Sequence, residues 1–228
     1  MEKNSVPAQQ DENVPEFLVH PDIERYAEQH TSPEPEILQQ LSHETHLKTV
    51  APQMLSGHVQ GILLRMISCM IKPRNVLEIG TFTGYSAICL SEGIPEGGVL
   101  HTVECNPELE EIAMKYFKLA GISEKVKLHI GDAFEIVPAL PGPFDLVFID
   151  ANKDDYIRYF EIVFDKVISG GFIIADNTLW YGKVVDKNAD SDNESSGIAG
   201  FNNFVQNHKR VENLLLTIRD GLTIIRKL

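Results

Sequence analysis

From Asn75 to Ala175 the chain alternates short apolar runs with amphipathic stretches, and this alternation limits the possible folds more than any other feature. Asn75–Ile79, Val99–Val103, Val126–Ile130, Phe144–Ile149 and Phe172–Ala175 are rich in β-branched or large apolar residues and lack strict polar alternation. Strands covered on both faces read this way. Helical patterns lie between them, near Gly84–Glu92, Pro107–Ala120, Ala133–Ala139 and Asp154–Val167. Strands separated by helices predict an α/β fold with a parallel, doubly wound sheet and right-handed crossovers. Val211–Ile218 and Leu222–Arg226 then flank Asp220-Gly221, a dipeptide suited to a tight turn. The mostly parallel sheet should therefore reach seven strands and end in a C-terminal antiparallel hairpin.

Ahead of the alternation, residues 1–16 are polar, contain proline and lack apolar periodicity, which predicts a disordered tail. Extra N-terminal helices are expected over Pro21–His30, Pro35–Val50 and Gly57–Ile71, the last stopped by Pro73. In that third helix Val59, Ile62, Leu63, Met66, Ile67 and Met70 are expected on the buried side. Residues 17–228 then form one domain, with helices over 17–72 and the sheet over 73–228. Lys183–Gly197, rich in Asp, Asn and Ser, reads as a mobile surface loop.

Charge narrows the partners. A formal net charge of −13 repels phosphate backbones and anionic lipid, so neither nucleic acid nor membrane is expected as the main partner. No apolar run is expected to approach the length of a membrane span, because charges or glycines interrupt each one, and no export signal is expected from the polar first residues. Cys69, Cys89 and Cys105 lack metal-site spacing and are expected to be reduced and mostly buried, which points to the cytoplasm.

Open α/β sheets bind ligands beyond the carboxyl ends of their strands. The loop after the first run reads Glu78-Ile79-Gly80-Thr81-Phe82-Thr83-Gly84-Tyr85-Ser86. Gly80 permits a tight turn and close ligand approach, and Gly84 lets the next helix start near the strand. The second run leads to Glu104, about 20 residues on, where a carboxylate accepts ribose hydroxyls. The third leads to Gly131-Asp132-Ala133, placed to border an adenine ring. A dinucleotide fingerprint wants glycine where Phe82 stands, and Glu78 adds negative charge that disfavours a pyrophosphate. A nucleoside carrying an ammonium group fits better.

The fourth run ends Asp150-Ala151-Asn152-Lys153 and the fifth ends Asp176-Asn177. If these strands are neighbours, Asp150, Asp176 and Asn177 converge as three oxygen donors suited to a hard ion, Mg²⁺ first, with Mn²⁺ or Ca²⁺ as alternatives. Lys153 is then placed to take a proton from a bound hydroxyl, through a pKa lowered by partial desolvation, or to hold the oxyanion. Trp180 and Tyr181 follow the pair and could wall an aromatic ring, with core packing the equal alternative for Trp180.

Together, Glu78–Ser86, Val103-Glu104, Gly131–Ala133, Asp150–Tyr156 and Asp176–Trp180 resemble the metal-dependent O-methyltransferases, in the caffeoyl-CoA and catechol branch and especially its small bacterial members. The resemblance runs from about Leu47 to the C-terminus and implies a Rossmann-like methyltransferase fold that uses S-adenosylmethionine. It implies that Ser56, with Met54 near the sulfonium, contacts the methionine moiety. Glu78, Gly80, Thr81 and Ser86 would hold the amino-acid end, Glu104 the ribose and Ala133 the adenine. Asp150 would serve cofactor and metal, Asp176 and Asn177 would complete the metal site, and Lys153 would be the catalytic base. A homodimer joined through the N-terminal helices is also implied, as is a small phenolic acceptor, free or on a CoA-type carrier. His58 stands where the family often has an acidic residue, and Lys183–Gly197 matches no family pattern, so the acceptor stays open. Two rival readings are a nicotinamide dehydrogenase on the same fold, disfavoured by Phe82, and a non-catalytic cofactor-binding module. The Asp150/Lys153/Asp176/Asn177 set counts against the second.

Overall fold

The computed structural model describes residues 18–185 and 193–228. The tail expected over residues 1–16 lies outside them. The first helices are α1 (Pro21–Gln29), α2 (Glu36–Lys48) and α3 (His58–Ile71). Strands and helices then alternate as β1 (Asn75–Ile79), α4 (Tyr85–Ser91), β2 (Val99–Glu104), α5 (Glu110–Leu119), β3 (Val126–Ile130), α6 (Ala133–Ala139), β4 (Phe144–Ile149), α7 (Tyr156–Phe164) and β5 (Val167–Asp176). Helix α8 (Asn193–Gln206) and the hairpin β6 (Val211–Leu216) and β7 (Leu222–Lys227) complete the order.

The seven strands lie in the order β3-β2-β1-β4-β5-β7-β6, with β7 antiparallel to both neighbours and the first five parallel. Winding reverses between β1 and β4, and that gap is the expected ligand position. The strands run to a common edge: Ile79 pairs with Val103 and Ile149, and Ile149 with Ala175. Residues just past these pairs therefore meet at one end of the sheet.

Side chains of the inner strands β1, β2, β4, β5 and β7 feed two cores. On one face Val76, Leu100, Leu146 and Phe148 pack under α2–α5; on the other Leu77, Val103, Val147 and Ile149 pack under α6–α8. Burial on both faces explains the missing polar alternation.

Several expectations change. Strand β5 starts at Val167 rather than Phe172, because Gly170 (φ +79°) and Gly171 carry the ladder through a register shift that reads as loop in the sequence. The expected loop Lys183–Gly197 is partly helical where it is described: 3₁₀-type turns over Trp180–Val185 are kinked at Tyr181 (φ +53°) and Gly182 (φ +77°), and α8 begins at Asn193, while residues 186–192 lie outside the described set. Ile198, Phe201 and Val205 bury one stripe of α8 behind a polar first turn that hides it.

The third change is in α3, which buries Gln60, Gly61, Leu64 and Ser68 and leaves Met66 54% and Met70 75% exposed. Small residues face α4 because the helices touch there. A Cβ at Gly61 would lie 2.7 Å from the Tyr85 ring, and Ser68 Oγ donates to Leu90 O at 2.5 Å. The run Pro52–Ile71 is also long and apolar enough to cross a membrane by length and composition, contrary to expectation. Here it is broken at Leu55–Gly57 into a 3₁₀ turn and the 14-residue α3, partly buried on the sheet. Fourth, only Cys89 is buried; Cys69 and Cys105 are exposed, and all three are free thiols.

Candidate active site

One cavity of about 980 Å³ opens at the carboxyl edge of the parallel strands. Ser56, Gly80, Thr81, Ser86, Glu104, Ala133, Asp150, Lys153, Asp176 and Asn177 all line it. Of the residues expected in the site, Glu78 alone does not.

The β1–β2 side is fixed by backbone. Gly80 N and Thr81 N donate to Val103 O at 2.9 and 3.2 Å, and Asp150 N donates to Ile79 O at 2.9 Å. Gly80 has φ +102°, and a Cβ there would sit 1.8 Å from Asp150 O, so only glycine lets the two strand tips approach. Glu104 accepts Phe82 N at 2.8 Å on one oxygen and Asn106 N at 2.9 Å on the other. Cys105 Sγ also donates to that second oxygen at 3.7 Å, so the oxygen facing Phe82 N is the one that keeps a lone pair for a ligand hydroxyl. At the β3 tip Asp132 caps α6 by accepting Phe134 N at 2.8 Å, which presents Ala133 to the cavity.

Glu78 is fully buried behind this wall. Its Oε2 accepts Thr102 Oγ1 at 2.5 Å, Ser86 also bonds the carboxylate, and Oε1 has no partner. Burial, reinforced by the charges of Asp150 and Glu104, pushes its carboxyl up to about 8 against the pull of those hydroxyls. A buried carboxyl with an unused oxygen beside Ser86 suits a ligand cation such as an α-ammonium.

The β4–β5 side is built from charge. Lys153, buried at the start of a 3₁₀ turn, donates to Asp150 Oδ1 at 2.7 Å and to Tyr156 OH at 2.8 Å. Tyr156 OH in turn donates to Asp176 O at 3.0 Å. Asp176 accepts Asn177 N at 2.8 Å on Oδ1 and Gln60 Nε2 at 2.5 Å on Oδ2. Burial and the neighbouring Asp150 push Asp176 up to about 7, although Lys153 and Gln60 oppose them. Asn177 has φ +55°, a conformation Asn tolerates better than most residues.

Burial alone would lower the Lys153 ammonium, but Asp150 and Asp176 outweigh it and carry its pKa well above the ordinary value. The expected depression is thereby reversed, because the lysine is desolvated beside two carboxylates rather than in apolar surroundings. Among the described residues no group of three or more His, Cys, Asp or Glu is arranged to hold a metal. The oxygen donors here are two carboxylates and an amide, a set compatible with a hard ion that keeps water ligands.

Trp180 does both things open to it: it packs against the α6–α8 core and borders the cavity, with its buried Nε1 unpartnered. His58 is tied by its ring nitrogen to Ser32 O at 2.7 Å, away from the cavity lining. Sequence reasoning missed Gln60 and gave Tyr156 no role. A lone amide on the buried side of an apolar helix was the available signal for Gln60.

An O-methyltransferase family model matches residues 28–228. The catechol O-methyltransferase of Niastella koreensis is 37% identical over 134 residues, spanning 57% of this chain and 61% of that protein. Caffeoyl-CoA O-methyltransferase 5 of Nicotiana tabacum is 31% identical over 209 residues, 86% of this chain and 85% of that one. Among solved structures, the O-methyltransferase TomG of Streptomyces achromogenes, in complex with S-adenosylmethionine, superposes with TM-score 0.83 at 29% identity, covering 90% of this chain and 96% of that chain. The chain belongs to the O-methyltransferase family, in the group that takes in the catechol and caffeoyl-CoA enzymes.

Proposed function

We propose that this protein transfers the methyl group of S-adenosylmethionine to a hydroxyl of a catechol-like phenol, free or carried on a CoA-type group, with a divalent cation, Mg²⁺ first, held by Asp150, Asp176 and Asn177. The observation that carries the reading is that one cavity is bordered by Glu104, Ala133 and Ser86 at one end and by Asp150, Lys153, Asp176 and Asn177 at the other.

The sulfonium methyl is already activated, so the protein's task is to set an acceptor oxygen in line with it at close range. Gly80 and Thr81 allow the methionine end to lie against backbone, Ser56 and Ser86 offer hydroxyls to it, and Glu78, behind that wall, supplies negative charge that favours its ammonium. Glu104 accepts the ribose hydroxyls, and Ala133 leaves room for the adenine edge. A divalent cation at the carboxylate pair would lower the pKa of a coordinated hydroxyl and orient a vicinal diol. Lys153 carries its proton at Nζ and is set to hold the acceptor oxyanion. Its work as a base requires the charge of Asp150 and Asp176 to be neutralised first. Tyr156 and Gln60 fix Lys153 and Asp176 from behind.

Labelled cofactor offered with a catechol panel, with and without chelator, tests the proposal. Transfer that is lost in EDTA and restored by Mg²⁺ is expected. Metal-independent transfer would remove the ion from the reading, and binding of NAD without S-adenosylhomocysteine would end it.

Two further parts of the reading rest on surface features. A homodimer through the N-terminal helices is supported by exposed Ile23 and Tyr26 on α1 and Met66 and Met70 on α3; light scattering of a monomer at micromolar concentration would refute it. Free Cys69 and Cys105 suit a reducing cytoplasm, and the charge of −13 suits a small-molecule substrate rather than nucleic acid or membrane.

A further inference from the structure

Three cationic side chains line the cavity among the described residues: Lys48, Lys153 and Arg219. Lys48 pairs with Glu44 at 2.8 Å and Lys153 with Asp150 at 2.7 Å. Arg219 forms no ion pair among the described residues. Its Nη1 instead donates to Leu55 O at 2.8 Å, across 164 positions of sequence, and it lies over Gly57, where a Cβ would be 3.4 Å from Nη1. The bond to a backbone carbonyl fixes the guanidinium without cancelling its charge, in a cavity whose other charged lining is mostly acidic.

Its backbone is unusual as well. Arg219 has φ +47° in the turn between β6 and β7, a conformation that favours glycine and is strained for a long side chain. Strain retained at the wall of a functional cavity motivates a search for what the side chain does there. The turn is tied to the segment after the β5 tip: Thr178 N donates to Gly221 O at 3.0 Å, Leu179 N to Asp220 O at 2.9 Å, and Tyr181 N to Asp220 Oδ1 at 2.5 Å. Arg219 is thus held by the same segment that brings Asn177, Trp180 and Tyr181 to the acceptor end.

We propose that Arg219 is a specificity-determining residue that binds an anionic group, a carboxylate or phosphate, on the methyl acceptor. This rests on the cavity being the methyl-transfer site, and it selects acidic catechols over neutral ones. A guanidinium with free N–H groups matches such an anion by paired, charge-assisted hydrogen bonds. The cofactor's own carboxylate has the same chemistry, so the test must tell the two sources apart.

3,4-Dihydroxybenzoate and its neutral amide are compared as acceptors for the wild-type protein and for Arg219→Gly and Arg219→Lys, with S-adenosylhomocysteine affinity measured by calorimetry. Glycine suits φ +47°, so Arg219→Gly should keep or raise Tm. The wild-type protein should favour the acid by about 10-fold or more in kcat/KM. Arg219→Gly should erase that preference through KM while homocysteine-analogue affinity stays within about 2-fold, and Arg219→Lys should retain part of it. Methylation of acid and amide with equal efficiency, unchanged in Arg219→Gly, overturns the assignment and leaves the methyl-transfer reading standing. A loss confined to S-adenosylhomocysteine affinity also overturns it, giving Arg219 to the cofactor. Failure of the wild-type protein to methylate either compound while the homocysteine analogue binds overturns the catechol reading and this inference with it.

Discussion

At the β1–β2 end of the cavity, carboxylates are held by backbone amides and hydroxyls: Glu104 by Phe82 N and Asn106 N, Glu78 by Thr102 and Ser86. At the β4–β5 end, Asp150 and Asp176 crowd one buried lysine, and burial together with Asp150 raises the cost of ionising Asp176. The first end is a preformed cradle for a molecule with many polar atoms. The second concentrates negative charge that a cation relieves. In the proposed reaction, binding and chemistry divide between a rigid half and an electrically loaded half, joined where Gly80 packs on Asp150 O.

The sharpest way to break this division is Asp150→Ala. Turnover should fall by roughly 10³-fold or more, since both charge stabilisation and orientation are lost, while far-UV circular dichroism stays native. Near-normal turnover in excess EDTA would show that the loaded half is not the seat of the chemistry. Gly80→Ala attacks the joint itself. With positive φ and a Cβ driven into Asp150 O, it should cost roughly 3 kcal/mol or more of stability, read by urea denaturation; an unchanged midpoint would mean the two tips are not locked together.

Lys153→Ala separates the halves. Turnover should drop about 100-fold, with S-adenosylhomocysteine affinity held within about 3-fold; the reverse pattern would move Lys153 to the cofactor end. Gln60→Leu leaves Asp176 Oδ2 without its amide and should raise the Mg²⁺ concentration for half-saturation by about 10-fold, measured by calorimetry, with homocysteine-analogue affinity unchanged.

The smallest effect is in pH. Glu78 must lose its proton to pair with an ammonium, and its folded-state value is near 8. Cofactor affinity should therefore rise with pH toward 8, by about 5-fold between pH 7 and 8. Because the folded protein keeps this proton to higher pH than the unfolded chain, the Glu78 contribution to stability falls as pH rises from the ordinary carboxylate range to about 8. Glu78→Gln should flatten both trends; parallel pH profiles in the two proteins would refute the role.

Much of this was legible before any coordinates. β1, β3, β4 and α6 run between the residues expected for them, because Gly80, Gly131, Pro143 and Asp150 punctuate the chain there and leave little choice of boundary. The strand tips named the carboxylates for the same reason: parallel strands in register end at one edge, so residues just past each run are neighbours. Less was legible in α3 and α8, where small or polar residues occupy buried positions. Gly61 and Ser68 are inside because α4 comes close, and no periodicity computed on hydrophobicity can see that.

By itself the sequence determined the alternation of strand and helix, the doubly wound sheet and the edge at which ligands collect, since these follow from local periodicity and from the handedness of crossovers. Only the tertiary structure decided which polar groups share that edge. Gln60 meets Asp176 across 116 positions and Arg219 meets Leu55 across 164. The protonation of Lys153 was also decided there, because a pKa depends on which charges the fold brings within a few ångströms and how far it excludes water, and neither is written in the spacing of the chain.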